Sequence, residues 1–143
     1  MNVVHDYPPN FHKILPEFPL ADRKGVIFTY GNIIYAPHGE EVQRPLIAHE
    51  SVHSERQGND PEGWWEKYLD DRQFRYDEEL LAHIREYQAY WYMSRKERMW
   101  YLGQIAKRLA SPLYGSMVPQ QKAKAAIKKG AKNGFDAINR SFE

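Results

Sequence analysis

Leu46-Ile47-Ala48-His49-Glu50-Ser51-Val52-His53-Ser54-Glu55-Arg56-Gln57 is the stretch on which the reading of this chain turns. His49 and His53 stand four apart, which on a helix places them on one face, one turn above the other. Glu50 adjoins the first histidine. In this His-Glu-x-x-His spacing one helix offers a zinc ion two imidazoles, at about 2.0–2.1 Å each, and sets a carboxylate beside a water on the metal. Zinc lowers the pKa of such a water to about 7, and the carboxylate takes its proton. Chance alone produces the pattern in an occasional chain, so its surroundings decide. Leu46, Ile47, Ala48 and Val52 predict an apolar face and hence a buried helix. Pro45 suits the first turn and Gly58 the stop. A solvated helix with two unrelated histidines fits this context less well.

The rest of the composition narrows the chemistry. With 143 residues the chain is long enough for one domain with its own core. It has no cysteine, which excludes disulfides and thiolate metal sites and leaves histidine and carboxylate as ligands. A net charge of +1 gives no overall pull toward nucleic acid or membrane. The start shows no basic end followed by an apolar run, and no stretch of about 18 apolar residues occurs. A cytoplasmic protein with no signal peptide and no membrane span is expected.

Before the motif, Met1 to Ala21 carries Pro8, Pro9, Pro16 and Pro19 and reads as an extended arm, pinned by Phe11, Ile14, Leu15 and Phe18. Val26-Ile27-Phe28-Thr29-Tyr30 and Ile33-Ile34-Tyr35-Ala36 are β-rich runs joined by Gly31-Asn32, a hairpin signal. His38 falls in the loop that follows. After the motif, Asp60-Pro61 opens a short helix with Trp64, Trp65 and Tyr68, read as core or as a lid on the motif helix. Arg72 to Met93 reads as a second long helix with Phe74, Leu80, Leu81, Ile84, Tyr87 and Trp91 at helical spacing. Ser94-Arg95-Lys96-Glu97 is a capping box before a third helix striped by Met99, Leu102, Ile105, Ala106 and Leu109. A last helix is expected from Pro119 to Lys132, ended by Asn133-Gly134, with a lysine-rich face that reads as solvated. The expected fold is mostly α (α+β): one domain over 1–143 with a small N-terminal β-hairpin.

Two histidines leave a zinc ion short of a protein ligand. Glu78, Glu79, His83 and Glu86 are the candidates downstream. Glu79 is favoured, because its distance from His53 leaves room for one short helix before the chain returns beside the motif. Ala82 shares its face and would let the helices approach closely. His83 shares it too, as a support for the ligand or as its replacement. The alternative for Glu78-Glu79 is compensation of the helix dipole.

His49-Glu50-Ser51-Val52-His53 followed by Glu79-Leu80-Leu81-Ala82 resembles the gluzincin arrangement of metallopeptidases. There an H-E-x-x-H helix precedes a helix bearing Glu-x-x-Ser/Ala. The wider pattern is similar to small zinc peptidases of bacteriophages and prophages. It includes Val26 to Gly31, Ile34 to Pro37, Trp64 to Leu69, Phe74-Arg75 and Ser111 to Gly115. The resemblance implies a zincin-like helical domain with zinc on His49, His53 and Glu79, and Glu50 as general base. It implies a peptide or protein substrate, with an extended peptide pairing to the hairpin's edge strand. The chain departs from thermolysin-like enzymes where an Asp follows Glu-x-x-Ser, since His83 stands there. Tyr87, Tyr101, Tyr114 and His38 are all open as oxyanion partners. So short a chain also leaves room for a partner protein to complete the cleft. The expected function is a zinc-dependent hydrolase cleaving peptide bonds. The rival is a metal-stabilised structural or interaction protein without turnover, such as a phage virion component. A nucleic-acid partner on the lysine-rich helix is the weakest option.

Overall fold

The Gly31-Asn32 link turns the chain as expected. β2 (Phe28–Tyr30) and β3 (Ile33–Tyr35) pair antiparallel, with Tyr30 opposite Ile33. Gly31 takes φ 65°, a left-handed conformation that costs a residue without Cβ nothing. The computed structural model describes residues 1–141, apart from the side chains of 133 and 135–141.

The N-terminal segment differs from the extended arm expected of it. It forms β1 (Asn2–Val4), α1 (Phe11–Glu17) and a 3-10 turn (Pro19–Asp22). β1 runs parallel to β3 and completes a sheet of order β1-β3-β2. A two-stranded hairpin is marginal alone, and the β-branched Val3 and Val4 satisfy its open edge. The prolines that suggested extension are accommodated instead: Pro16 in the final turn of α1 and Pro19 at the start of the 3-10 turn.

α2 (Arg44–Gln57) has Pro45 in its first turn and Gly58, at φ 56°, as its cap. Its buried face is not the apolar one. Pro45, His49, Glu50, Val52, His53 and Gln57 are buried, while Leu46, Ile47 and Ala48 are only half-buried. The helix is therefore held inward largely by polar partners.

α3 (Pro61–Asp70) is capped by Asp60, which accepts from Gly63 N at 3.0 Å. α4 (Arg72–Gln88) is capped by Asp71, which accepts from Phe74 N at 3.0 Å. It ends at Gln88 rather than Met93, and turns carry the chain to α5 (Arg95–Leu109). The capping box is present: Ser94 Oγ accepts from Glu97 N at 3.2 Å and donates to Glu97 Oε1 at 2.9 Å. α6 (Gln120–Ser141) runs through Asn133-Gly134 instead of stopping there. A Cβ on Gly130 would lie 2.3 Å from Ile84 Cδ1, and one on Gly134 would lie 2.1 Å from Gln88 Nε2. These glycines are close-approach positions against α4, not stop signals.

The core has two parts. Leu102, Ile105, Leu109, Ala123, Ile127 and Ala131 fill the space between α4, α5 and α6. Ile14, Ala21, Phe28, Trp64, Trp65 and Tyr68 fill the space under the sheet. α2 packs chiefly on α4, and that seam carries the polar side chains. Among the described residues, no helix is long and apolar enough to cross a membrane.

Leu81 and Leu102 both look like core residues in sequence, but Leu81 is 42% exposed and Leu102 is fully buried. Leu102→Ala should cost about 2–5 kcal/mol in a denaturant titration, and Leu81→Ala at most about 0.5 kcal/mol. Equal losses would contradict this packing.

Candidate metal centre

The seam between α2 and α4 brings the expected residues together. His49 Nε2 lies 3.2 Å from Glu79 Oε1, and His53 Nε2 lies 3.1 Å from Glu79 Oε2. All three side chains are buried. Donor atoms of His49, Glu50 and His53 lie within 4.8 Å of one another. Glu79 Oε1 nevertheless has no hydrogen-bond partner, because the short approach to His49 is poorly aligned for one.

Ligands of a tetrahedral zinc, at about 2.0–2.1 Å from the metal, stand about 3.3 Å apart. The two imidazole-to-carboxylate distances are close to that value. The local charge agrees. Glu50, Glu78, Glu79 and Glu86 are all buried. Arg56 pairs with Glu78 and Arg108 with Glu86, and among the described residues Glu50 and Glu79 have no guanidinium or ammonium partner. Buried carboxylates are costly without opposite charge, and a divalent cation between the imidazoles and these two carboxylates would supply it. The donor set of two imidazoles and one carboxylate suits zinc. His49, His53 and Glu79 thus fit the ion.

The supporting contacts are specific. His49 Nδ1 donates to Glu86 Oε1 at 2.9 Å, which leaves Nε2 facing Glu79. Glu86 stands seven residues after Glu79, two turns along the same face, and supplies the carboxylate that His83 cannot. Tyr68 donates to Glu79 Oε2 at 2.7 Å. Thr29 Oγ1 donates to Glu50 Oε2 at 2.7 Å. His83 Nδ1 lies 2.6 Å from the Glu79 carbonyl. A carbonyl only accepts, so Nδ1 carries the proton and Nε2, fully buried and unpartnered, is bare. His83 is therefore tied to its own helix and braces the backbone of Glu79. Its atoms also come within 4.8 Å of donor atoms of His49 and Glu79.

The electrostatics follow. Burial alone would lower the pKa of His49, but Glu79 and Glu86 outweigh it and raise it to about 10. Burial acts upward on Glu79, yet His53 and His49 hold it well below the usual carboxylate range. Glu86, with His49 and Arg108 beside it, is held at about 2 against its burial. Burial and the neighbouring His49 bring His83 down to about 3. Burial raises Glu50.

Other sequence candidates fall elsewhere. His38 bonds Asp22, Tyr87 lies in the helical core, and Tyr101 stacks on Tyr90. Tyr114 alone of the four lines the site, and its hydroxyl has no hydrogen-bond partner among the described residues. Glu78 is not a surface charge balancing a dipole. It is buried and accepts from Arg56 and from Trp64 Nε1. Trp64 and Trp65 belong to the core and wall the site.

Sequence reading missed Thr29, Tyr68 and Arg108. Arg108 looks like a cation compensating the end of α5, and no local signal marks it out. For Glu86 the seven-residue step from Glu79 was the available signal.

A cavity of about 120 Å³ opens onto these groups, walled by Phe18, Val26, Leu46 and Leu113 among others. The edge of β2 beside it is partly closed. Thr29 O accepts from Gln57 Nε2 at 2.8 Å and from Trp65 Nε1 at 3.0 Å, and Gly31 N donates to Gln57 Oε1 at 2.7 Å. An extended peptide therefore finds free strand backbone bordering the cavity only ahead of Thr29.

No protein-family model, curated protein or solved structure matches this chain.

In metal-free protein at pH 7, nitrogen-15 NMR of the imidazoles should show His49 doubly protonated and His83 neutral with the proton on Nδ1. The unfolded chain protonates His83 below its ordinary pKa of 6.5 while the folded chain resists down to about 3. This group's contribution is present above 6.5 and lost as pH falls through that window. A His83 that titrates near 6.5 would contradict its burial.

Proposed function

We propose that this chain is a zinc-dependent hydrolase that cleaves peptide bonds. The observation that carries the reading is the convergence of His49 Nε2, His53 Nε2 and the Glu79 carboxylate beside Glu50 on one cavity. When bound there, zinc would supply Lewis acidity to a substrate carbonyl and to a water. Glu50 acts as general base: it takes the proton of the attacking water and returns it to the leaving nitrogen. Thr29 holds one oxygen of Glu50, so the other is the one free to accept. Gln57 and Trp65 hold Thr29 in turn through its carbonyl. Tyr114 is placed to donate to the developing oxyanion, since burial and nearby carboxylates keep its phenol protonated. Glu86 keeps the Nε2 of His49 presented to the ion.

A second reading is a metal-stabilised structural or virion protein without turnover. It draws on His83, whose ring stands close enough to His49 and Glu79 to fill a coordination position. The cavity reaching Glu50 favours the hydrolase.

Purified wild type should hold about one zinc per chain by elemental analysis. Glu50→Gln should retain the metal and lose hydrolysis of an unfolded protein substrate by about 10²–10⁴-fold. His53→Ala should lose both. Wild type without stoichiometric zinc, or Glu50→Gln with full activity, would remove this reading.

A further inference from the structure

Once the residues of the proposed chemistry are set aside, few polar groups are left in the cavity to recognise a substrate. His49, His53 and Glu79 are taken by the metal, Glu50 by the water, and Thr29 by Glu50. The indole N–H of Trp64 bonds Glu78, that of Trp65 bonds Thr29 O, and the Tyr68 hydroxyl bonds Glu79. The Tyr114 hydroxyl is taken by the oxyanion, and Arg108 remains. Arg108 bonds Glu86 through one terminal nitrogen. Its other N–H groups have no partner among the described residues, and its side chain is 44% exposed. Arg108 is a donor, and no carboxylate of the lining is left over to receive an ammonium group.

Apart from these, the wall is apolar: Ile14, Phe18, Ala21, Val26, Leu46 and Leu113. Its volume of about 120 Å³ is below the ~300–1,000 Å³ of ordinary ligand pockets, and suits one side chain rather than several. Gln57 and Trp65 close the strand edge from Thr29 to Gly31, which shortens the track along which a long peptide would run to the backbone ahead of Thr29.

We propose that the cavity takes the C-terminal residue of a peptide, with an apolar side chain against Phe18 and Leu113 and its α-carboxylate on Arg108. The proposal rests on the hydrolase reading and gives it a substrate class. A guanidinium offers a carboxylate two parallel N–H donors, and an amide end offers it no charge. In the reaction the last peptide C–N bond breaks. The oxygen of water goes to the carbonyl carbon, and a proton goes to the leaving nitrogen through Glu50. The products are a free apolar amino acid and a peptide one residue shorter with a new carboxylate.

The test uses zinc-loaded Glu50→Gln protein, which binds without turnover, and two probes: acetyl-Ala-Ala-Phe as free acid and as C-terminal amide. Calorimetry should give the acid an affinity about tenfold or more above the amide. Arg108→Gln should abolish that ratio and Arg108→Lys should keep part of it, with the zinc content of each measured alongside. Wild type should release phenylalanine from the acid only, by mass spectrometry. Equal binding of acid and amide overturns the proposal, and that comparison needs no Arg108 variant. Cleavage of internal bonds in the amide overturns it too, while leaving the hydrolase reading in place. Selective binding of the acid without release by wild type supports the carboxylate site and counts against the hydrolase.

Discussion

The Glu79 carboxylate, buried between two imidazoles of the neighbouring helix, is the constraint around which the molecule is arranged. Placing it there requires α2 and α4 to lie side by side with polar faces inward. Such a seam would normally be unfavourable, since each buried carboxylate must find donors or opposite charge. Here Glu78 finds Arg56 and Trp64, Glu86 finds His49 and Arg108, and Glu79 finds Tyr68 and the two imidazoles. The apolar clusters on either side bury the carboxylates, and a buried carboxylate interacts more strongly with its partners than one at the surface.

Rigidity at this seam comes from residues that never enter it. The guanidinium of Arg75 donates to Tyr68 O at 2.8 Å and to Tyr114 O at 3.1 Å, and lies over the Phe18 ring at 4.9 Å. One buried cation thus anchors the backbones of both phenols that face the centre, one on Glu79 and one on the cavity. Gln57 does similar work on the sheet side. Its amide bonds Thr29 O and Gly31 N as a neighbouring strand would, and so sets the height of the hydroxyl that holds Glu50. The same contacts narrow the approach to the site.

Several elements were legible in the order of residues. Pro45 and Gly58 bound the motif helix, Asp60 and Ser94 cap the next helices, and Gly31-Asn32 makes the hairpin, because each acts on its own few neighbours. Where a residue's meaning depended on distant partners, reading the order misled. The prolines before Ala21 look like extension, yet they frame a short helix and a 3-10 turn once the sheet edge and Ile14 pocket exist. Gly134 looks like a stop, yet it lies inside α6 with the Gln88 side chain of α4 packed over it. Leu46 and Ile47 look like the buried face of the motif helix, which turns its polar side inward.

The sequence by itself determined which residues can bind a metal and how the motif helix starts and stops, since helical spacing puts His49 and His53 on one face whatever lies around them. Only the tertiary structure decided that Glu79 rather than Glu78 faces both imidazoles, that Glu86 holds His49, and that Thr29 and Arg108 line the cavity. Those choices depend on how α4 is rotated against α2 and on where α5 and the sheet bring their ends. Packing among residues far apart in the chain sets these, and no local pattern records them.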